Sequence, residues 1–196
     1  MDRWVPPNPF VTVLHRLLKD KGVELADFSF NRDAANIGDV YLTLSIRRHN
    51  AEVKIGLDTL TYSVANPDWR DAPDLVSIFE QIASAVCDIV RLSPQRQETT
   101  LVLHVRSESV DFRATTAALV NQVVLGEAGF YGVNIHRSDG SLTIDKSLRH
   151  QDGVFIRIQR KFSGEESFSE VASAMYENEV SALRLLGLTE SERKAE

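Results

Sequence analysis

The sequence predicts an α+β fold in which helices cover one face of mainly antiparallel sheet, and three observations support this class. Several short segments alternate apolar and polar residues, which is the period of two of a strand with one buried face. Longer segments carry apolar residues at spacings of three and four, as amphipathic helices do. The strands cluster in hairpins and do not alternate singly with helices, which disfavours a parallel sheet.

Two segments of the chain resemble each other. Residues 46–55 align with residues 135–144, and in both an apolar strand leads into a polar tip and out again along alternating apolar positions. A further strand and a long amphipathic helix follow each segment. We therefore predict two related hairpin-strand-helix units that share one core, over 1–92 with an additional N-terminal helix and over 98–188, and a mobile charged tail over 189–196.

The first helix has a predicted cap, an apolar stripe and a stop. Asn8 is a favourable N-cap, Pro9 suits the first helical position, and Gly22 can end the helix in the left-handed region. The stripe consists of Phe10, Val13, Leu14, Leu17 and Leu18. A strand is predicted directly after this helix, over residues 23–30.

The hairpin of the first unit is predicted from the most regular alternation in the chain, over residues 40–46. A turn at residues 50–51 would place Ile46 opposite Ile55 and keep the apolar faces together. A third strand covers residues 60–64. The long helix that follows, from about Asp71, has an apolar stripe formed by Leu75, Ile78, Phe79, Ile82, Val86, Ile89 and Val90.

The second unit begins after a short polar segment, residues 93–97, which is the predicted boundary. Its predicted elements are a strand over 100–106, a helix over 112–125, a hairpin, a strand over 154–158 and a helix over 163–187. Asp139 and Gly140 are predicted to form the hairpin tip, because this dipeptide favours two-residue turns. Glu165 and Glu166 are predicted to lie in the first turn of the last helix, at the positive end of its dipole, and Glu177 and Glu179 are predicted to face water.

Charge, cysteine content and hydropathy restrict the classes of partner and the cellular location that we expect. The formal net charge of −6 disfavours nucleic acid as a partner, and short basic runs such as residues 157–161 are expected to be solvated. The single cysteine, Cys87, excludes an internal disulfide and fits a reducing compartment. The N-terminus has no apolar signal region, and charges interrupt the longest apolar stretch, residues 75–92. We therefore predict no membrane span and a cytoplasmic location.

The sequence lacks the common catalytic signatures. It has no glycine-rich phosphate loop after a strand, no Gly-x-Ser-x-Gly elbow and no histidine pair at metal-ligand spacing, so we expect no cofactor and no metal. One cluster carries possible chemistry: the predicted hairpin puts His136 opposite Thr143 and on the same face as Asp145 and Arg157. A histidine beside an aspartate can act as a general base, and an arginine can hold an anionic substrate. A solvated sheet face is the alternative interpretation.

The polar strand faces must meet water or a partner. The predicted partner-binding residues are Trp4 in the proline-rich N-terminal segment, Tyr41 and Arg47 in the first unit, and Asn134 and Phe155 in the second. The order of elements, the acidic charge and the open polar faces resemble those of small α+β secretion or export chaperones, a likeness of fold that does not fix function.

Two functional hypotheses follow from the sequence. The first is a non-enzymatic protein-binding module, acting as an adaptor, chaperone or assembly subunit, that associates with itself. The alternative is a small-ligand enzyme or binding protein that uses the sheet face of His136, Asp145 and Arg157.

Overall fold

The structure, a computed structural model, describes residues 7–31, 40–66, 68–106, 110–112, 114–115 and 132–188. The chain divides into two compact units, Met1–Pro94 and Gln95–Glu196. Each contains a four-stranded antiparallel sheet, so the predicted α+β class is confirmed. Trp4, the tail over 189–196 and most of the helix predicted over 112–125 lie outside the described residues. Among the described helices, none is long and apolar enough to cross a membrane.

The first unit consists of α1 (Pro7–Leu18), β1 (Phe28–Asn31), β2 (Tyr41–Ile46), β3 (Ala51–Ile55), β4 (Leu60–Val64) and α2 (Ala72–Val90). Its strands are neighbours in chain order, β1-β2-β3-β4. Both helices contribute apolar side chains to one core on one face of this sheet. The buried core includes Phe10, Leu14, Leu18, Leu42, Leu44, Ile46, Val53, Ile55, Leu75, Ile78, Ile82 and Val86. The predicted stripes of both helices therefore face the sheet, although Leu17 at the margin of the α1 stripe is exposed.

Two predicted element boundaries in the first unit need correction. Helix α1 begins at Pro7, one residue before the predicted cap at Asn8. The strand predicted over 23–30 is shorter, because Leu25–Asp27 forms a 3-10 turn and β1 starts only at Phe28. The carboxylate of Asp27 stabilises that turn by accepting a hydrogen bond from the backbone N–H of Glu24 at 2.8 Å.

The register predicted for the first hairpin was wrong by four residues. Ile46 lies opposite Ala51, and Ile55 lies opposite Leu42. The cause is the connection: Arg47–His49 forms a 3-10 turn, and Asn50 follows in the left-handed region with φ 51°. Because the shift is even, every side chain keeps its predicted face.

The second unit consists of β5 (Arg96–Val105), β6 (Val133–Arg137), β7 (Gly140–Lys146), β8 (Val154–Ser163) and α3 (Phe168–Leu185). The sheet order is β5-β8-β7-β6, so the first strand pairs with the last. Helix α3 packs on one face, where the Thr99 hydroxyl donates to the sulfur of Met175 at 3.0 Å. The buried core includes Ile144, Val154, Ile156, Ile158, Val171, Met175, Ala182, Leu183 and Leu186.

The tip of the second hairpin was predicted one residue too late. Arg137 pairs with Gly140, so Ser138 and Asp139 form the turn. Gly140 is needed inside β7, because a Cβ at this position would lie 2.0 Å from the carbonyl oxygen of Gln159. The glycine thus allows β7 and β8 to approach each other directly after the turn.

The last helix begins at Phe168, five residues after the predicted start at residue 163. Ser167 caps it: the Ser167 hydroxyl accepts from the backbone N–H of Glu170, and the Glu170 carboxylate accepts from the backbone N–H of Ser167 at 2.8 Å. This reciprocal pair is a capping box. The predicted stop is confirmed, because Gly187 has φ 76° and follows the last helical turn. Glu179, predicted to face water, is only 2% exposed and lies on the packed side of α3.

Candidate functional site

The residues of the second unit for which the sequence predicts chemistry or partner binding lie on one face of its sheet, the face opposite α3. We call this surface the outer face. Alternate residues of each strand point to it, because successive side chains of a strand point to opposite sides. The register places on it Thr100, Val102, His104, Asn134, His136, Ser141, Thr143, Asp145, Phe155, Arg157 and Gln159.

Three rows of side chains cross the outer face. The rows are Thr100-Gln159-Ser141-His136, Val102-Arg157-Thr143-Asn134 and His104-Phe155-Asp145. Within two rows, polar groups hydrogen-bond to each other across strands. The Ser141 hydroxyl donates to Oε1 of Gln159 at 3.2 Å, and the Thr143 hydroxyl donates to Oδ1 of Asn134 at 3.3 Å.

His136 and Asp145 share the outer face but stand in its first and third rows. His136 is opposite Ser141 and not, as the predicted register has it, opposite Thr143. Asp145 is four residues further along β7 than Ser141, a distance of roughly 13 Å at about 3.3 Å per residue. That separation is too large for a hydrogen bond between the two side chains. Oδ1 of Asp145 instead accepts from the backbone N–H of Lys146 at 2.6 Å.

Arg157 stands in the middle row, between Val102 and Thr143, and its side chain is exposed. Its row is shared with Asn134 and not with His136 or Asp145. The outer face therefore offers dispersed hydrogen-bonding groups, with the guanidinium of Arg157 in its middle row. Such a surface can recognise a broad, polar surface better than it can activate a single bound atom.

Sequence reasoning missed the hydrogen bond between His104 and Ser147 at the end of the outer face. The buried Ser147 hydroxyl oxygen accepts from the backbone N–H groups of Arg149 and His150, both at 3.1 Å, and lies 2.9 Å from Nδ1 of His104. Because both lone pairs of that oxygen are occupied, its O–H donates to Nδ1, and the imidazole is neutral. Burial, followed by the nearby charges of Arg149 and His150, lowers the pKa of His104. Its ring also packs against Phe155, with centroids 5.3 Å apart.

The short basic run at residues 157–161 does not form one patch. Arg157 and Lys161 point to the outer face, whereas Arg160 points to the opposite side. Arg160 is held there by Asp139, 3.0 Å away, and donates to Oδ1 of Asn178 at 3.2 Å. Alternation along the strand thus separates charges that are close in sequence.

Comparison with known proteins adds no relative from which a role could be transferred. No protein family, curated protein or solved structure matches this chain.

The predicted partner-binding residues of the first unit have local neighbours. Tyr41 lies on the side of the first sheet away from the core, and the Lys54 ammonium is 5.4 Å from the centre of its ring. Arg47 is in the hairpin turn, and its Nε lies 2.7 Å from Oδ1 of the buried Asp27. Arg47 thus links the turn after β2 to the start of β1.

Sequence reasoning also missed a charged cluster in the first unit. His49, whose side chain is 4% exposed, has its Nε2 2.9 Å from Oδ2 of Asp74, and the Lys21 ammonium lies 2.6 Å from the other oxygen of Asp74. Nδ1 of His49 is 3.8 Å from the carboxylate of Asp71. The hydrogen bond from Lys21 is the main cause that lowers the pKa of Asp74. These contacts connect the segment that follows α1, the turn after β2 and the start of α2.

Within the described ranges, no three His, Cys, Asp or Glu side chains are placed to hold a metal ion. A surface groove of about 540 Å³ runs between α1 and α2 of the first unit. Its lining residues are Val13, Arg16, Leu17, Glu80, Gln81, Ser84, Ala85 and Asp88, and none of them is a predicted site residue.

Proposed function

We propose that this protein is a non-enzymatic protein-binding module, an adaptor, chaperone or assembly subunit, which associates with itself and with a protein partner. The observation that carries the proposal is the outer face of the second sheet. It spans four strands and mixes hydrogen-bonding side chains with apolar ones, and Val102 at its margin is 48% exposed. Asn134 and Arg157 are exposed in the same row.

The composition of the outer face supports a macromolecular partner. Protein interfaces combine aromatic side chains and arginine with a polar rim, and Phe155, Arg157 and the amides of Asn134 and Gln159 supply these groups. Small-molecule sites are instead concave and bury most of their ligand. A sheet surface with side chains in parallel rows matches the first description better than the second.

The proposal is tested with a double variant, Asn134→Arg with Arg157→Glu. It adds a positive charge at residue 134 and reverses the charge at residue 157, both in the middle row. The matched control is Ser173→Arg with Glu177→Arg, two exposed positions on α3. Proteins retained by the wild type and by both variants are compared by quantitative mass spectrometry, and the partner is then titrated calorimetrically. We expect the outer-face variant to weaken the Kd at least tenfold, about 1.4 kcal/mol, and the control to leave it unchanged. Equal partner recovery by all three proteins would contradict the proposal.

The alternative, a small-ligand enzyme or binding protein that uses His136, Asp145 and Arg157, has narrower support. These residues share the outer face, but the first two stand in different rows about 13 Å apart along the strands. A thermal-shift screen with small carboxylates and phosphates separates the hypotheses. A shift that disappears in the variants Arg157→Ala and His136→Ala would favour the alternative.

A further inference from the structure

Strand β5 is a long, regular edge of the second sheet. It has ten residues and pairs with β8 without interruption, and within the described part of the chain β8 is its only strand neighbour. The other outermost strands, β1, β4 and β6, have four or five residues. Proteins usually protect edges with prolines, bulges or charges. The segment Thr99–Val105 of β5 has none of these.

The backbone groups that face the open edge of β5 can be identified from one hydrogen bond. The N–H of Lys161 donates to the carbonyl of Asp139 at 2.8 Å, so the odd-numbered residues of β8 bond to β7. In an antiparallel pair, a residue directs its N–H and C=O to the same neighbour, and the next residue directs both away. The even-numbered residues of β8 therefore bond to the odd-numbered residues of β5. The N–H and C=O groups of Glu98, Thr100, Val102 and His104 point to the open edge.

We propose that two copies of this chain pair through their β5 edges, antiparallel about a two-fold axis at Val102, and join their second sheets into one sheet of eight strands. Val102 then lies opposite Val102 of the partner subunit, and Thr100 lies opposite His104 of the partner subunit. This inference rests on the self-association in the proposed function and assigns a surface to it.

Charge and apolar contacts select this register. With the axis at Val102, Glu98 faces Arg106 of the partner subunit, and symmetry repeats this opposite-charge pair. On the other side of the sheet, the half-buried Leu101 faces Leu103 of the partner subunit. An axis at Leu101 would instead set Arg96 against Arg106 of the partner subunit. An axis at Thr100 would pair Leu101 with Thr99 of the partner subunit and lose both leucine contacts.

The second copy is the favoured occupant because the edge complements itself. A two-fold interface requires that one patch match its own copy. Glu98 in the strand and Arg106 directly after it are an acidic and a basic residue, four positions on either side of the proposed axis, and the centre between them is apolar.

Disulfide trapping tests the register directly. The background is Cys87→Ala, which removes the only native cysteine. In the Val102→Cys variant, the two Cα atoms of a hydrogen-bonded antiparallel pair would be about 5.5 Å apart, which is within disulfide range. In the matched control Thr100→Cys, the two introduced thiols would be four residues out of register, roughly 13 Å apart. We expect mild oxidation to give at least tenfold more covalent dimer with the first variant. Equal or greater cross-linking of Thr100→Cys or Leu101→Cys would overturn the register, and the absence of cross-linking in all three would overturn the interface.

A charge exchange provides an independent test by sedimentation equilibrium. Glu98→Arg sets two arginines against each other across the interface and should weaken the dimer at least tenfold, and Arg106→Glu added to it should restore association. Glu98 also has a local contact with Arg96 at 3.5 Å, which the second substitution does not repair. Rescue therefore reports the contact between subunits, and a double variant as weak as the single one would count against the proposal.

The two proposals can fail separately. If the β5 variants do not alter the oligomeric state but the outer-face variant still loses its partner, only the β5 interface is wrong. If the β5 dimer forms but no protein binds the outer face, only partner binding is wrong. Circular dichroism of each variant establishes that it is folded.

Discussion

The two units place the same local pattern, a hairpin followed by a strand and a helix, in two different sheets. In the first unit, β2, β3 and β4 are neighbours and β1 is added beside β2. In the second unit, β6, β7 and β8 are neighbours and β5 is added beside β8. The fourth strand thus stands on opposite sides of the shared pattern. The predicted two-unit repeat is not confirmed, and the comparison shows that similar local sequence does not decide where a distant strand pairs.

The aligned hairpins also differ in register. Ile46 lies opposite Ala51 across a four-residue connection, whereas its aligned counterpart Ile135 lies opposite Leu142 across a two-residue turn. Ala51 and Gly140 occupy the same position in the alignment, but only Gly140 is pressed against a neighbouring backbone. The second hairpin is closed by a tight turn and a close strand contact, and the first by a longer turn anchored to other elements.

The largest expected difference in the free energy of unfolding is between variants at the aligned residues Gly140 and Ala51. Gly140→Ala puts a Cβ 2.0 Å from the carbonyl oxygen of Gln159, so β7 and β8 must separate. We expect a loss of about 3 kcal/mol in the free energy of unfolding. The reverse change in the first unit, Ala51→Gly, should cost only about 1 kcal/mol. Urea denaturation gives both values, and hydrogen exchange assigns them to a unit. Equal losses would mean that the close approach at Gly140 is not a constraint.

Two single proline variants compare the two edges of β5, and the difference in stability between them should be the next largest. Leu103→Pro removes an N–H that bonds to β8 and should lower the free energy of unfolding by about 1–3 kcal/mol. Val102→Pro removes an N–H that points to the free edge of β5 in the monomer, where proline is tolerated, so both variants are compared at protein concentrations at which the chain is monomeric. Thermal denaturation should therefore separate the two variants after each is corrected with its alanine counterpart. A larger loss for Val102→Pro would reverse the assignment of the edge.

The same comparison shows what the sequence can predict. Alternation over β2 and the stripe of α2 identify their elements, because each pattern depends only on neighbouring residues. The pairing of β5 with β8 joins residues about 60 positions apart in the chain, and no local pattern encodes it. The predicted Asp139-Gly140 tip failed for a related reason. A glycine is needed at residue 140 because the backbone of β8 lies close to it, and that contact is not visible in the local sequence.

The sequence predicts which side of the sheet carries the candidate site residues, but not which of them are neighbours across the strands. Period two puts Asn134, His136, Asp145 and Arg157 on one side of the sheet, and an even error in register leaves the side unchanged. The same error changes which residues are neighbours, so the expected proximity of His136 and Asp145 was lost. Glu179 was predicted to face water because it is charged. Its spacing of four from Met175, however, already places it on the buried stripe of α3.

An intermediate effect is expected at the charged cluster of the first unit, in which Lys21 and His49 share the carboxylate of Asp74. Asp74→Ala leaves the buried His49 and the ammonium of Lys21 without their shared carboxylate. The expected loss is about 1–3 kcal/mol in the free energy of unfolding. The matched control is Asp71→Ala, which removes an exposed carboxylate 3.8 Å from His49 and should cost at most about 0.5 kcal/mol. Similar losses for both variants would show that the cluster does not depend on the contact between His49 and Asp74.

The smallest expected effect is a difference in how the two units respond to acid. In the second unit, the folded-state pKa of His104 is lowered, so the unfolded chain binds more protons as the pH falls below about 6.5. The stabilising contribution of neutral His104 is therefore present above that pH and is lost as the pH falls towards the folded-state pKa. In the first unit, the pKa of Asp74 is also lowered, but from the range of a carboxyl group. Its contribution is present above about pH 4 and is lost only below it.

Two substitutions separate these contributions. His104→Gln should flatten the pH dependence of the second unit between pH 7 and 5, and Asp74→Asn should differ from the wild type above pH 4 and converge with it below. Urea denaturation at each pH, with hydrogen exchange to distinguish the units, measures both. If His104→Gln leaves the slope between pH 7 and 5 unchanged, burial and the nearby charges of Arg149 and His150 do not hold the imidazole of His104 neutral. In that case the end of the outer face beside Phe155 is available to carry a positive charge.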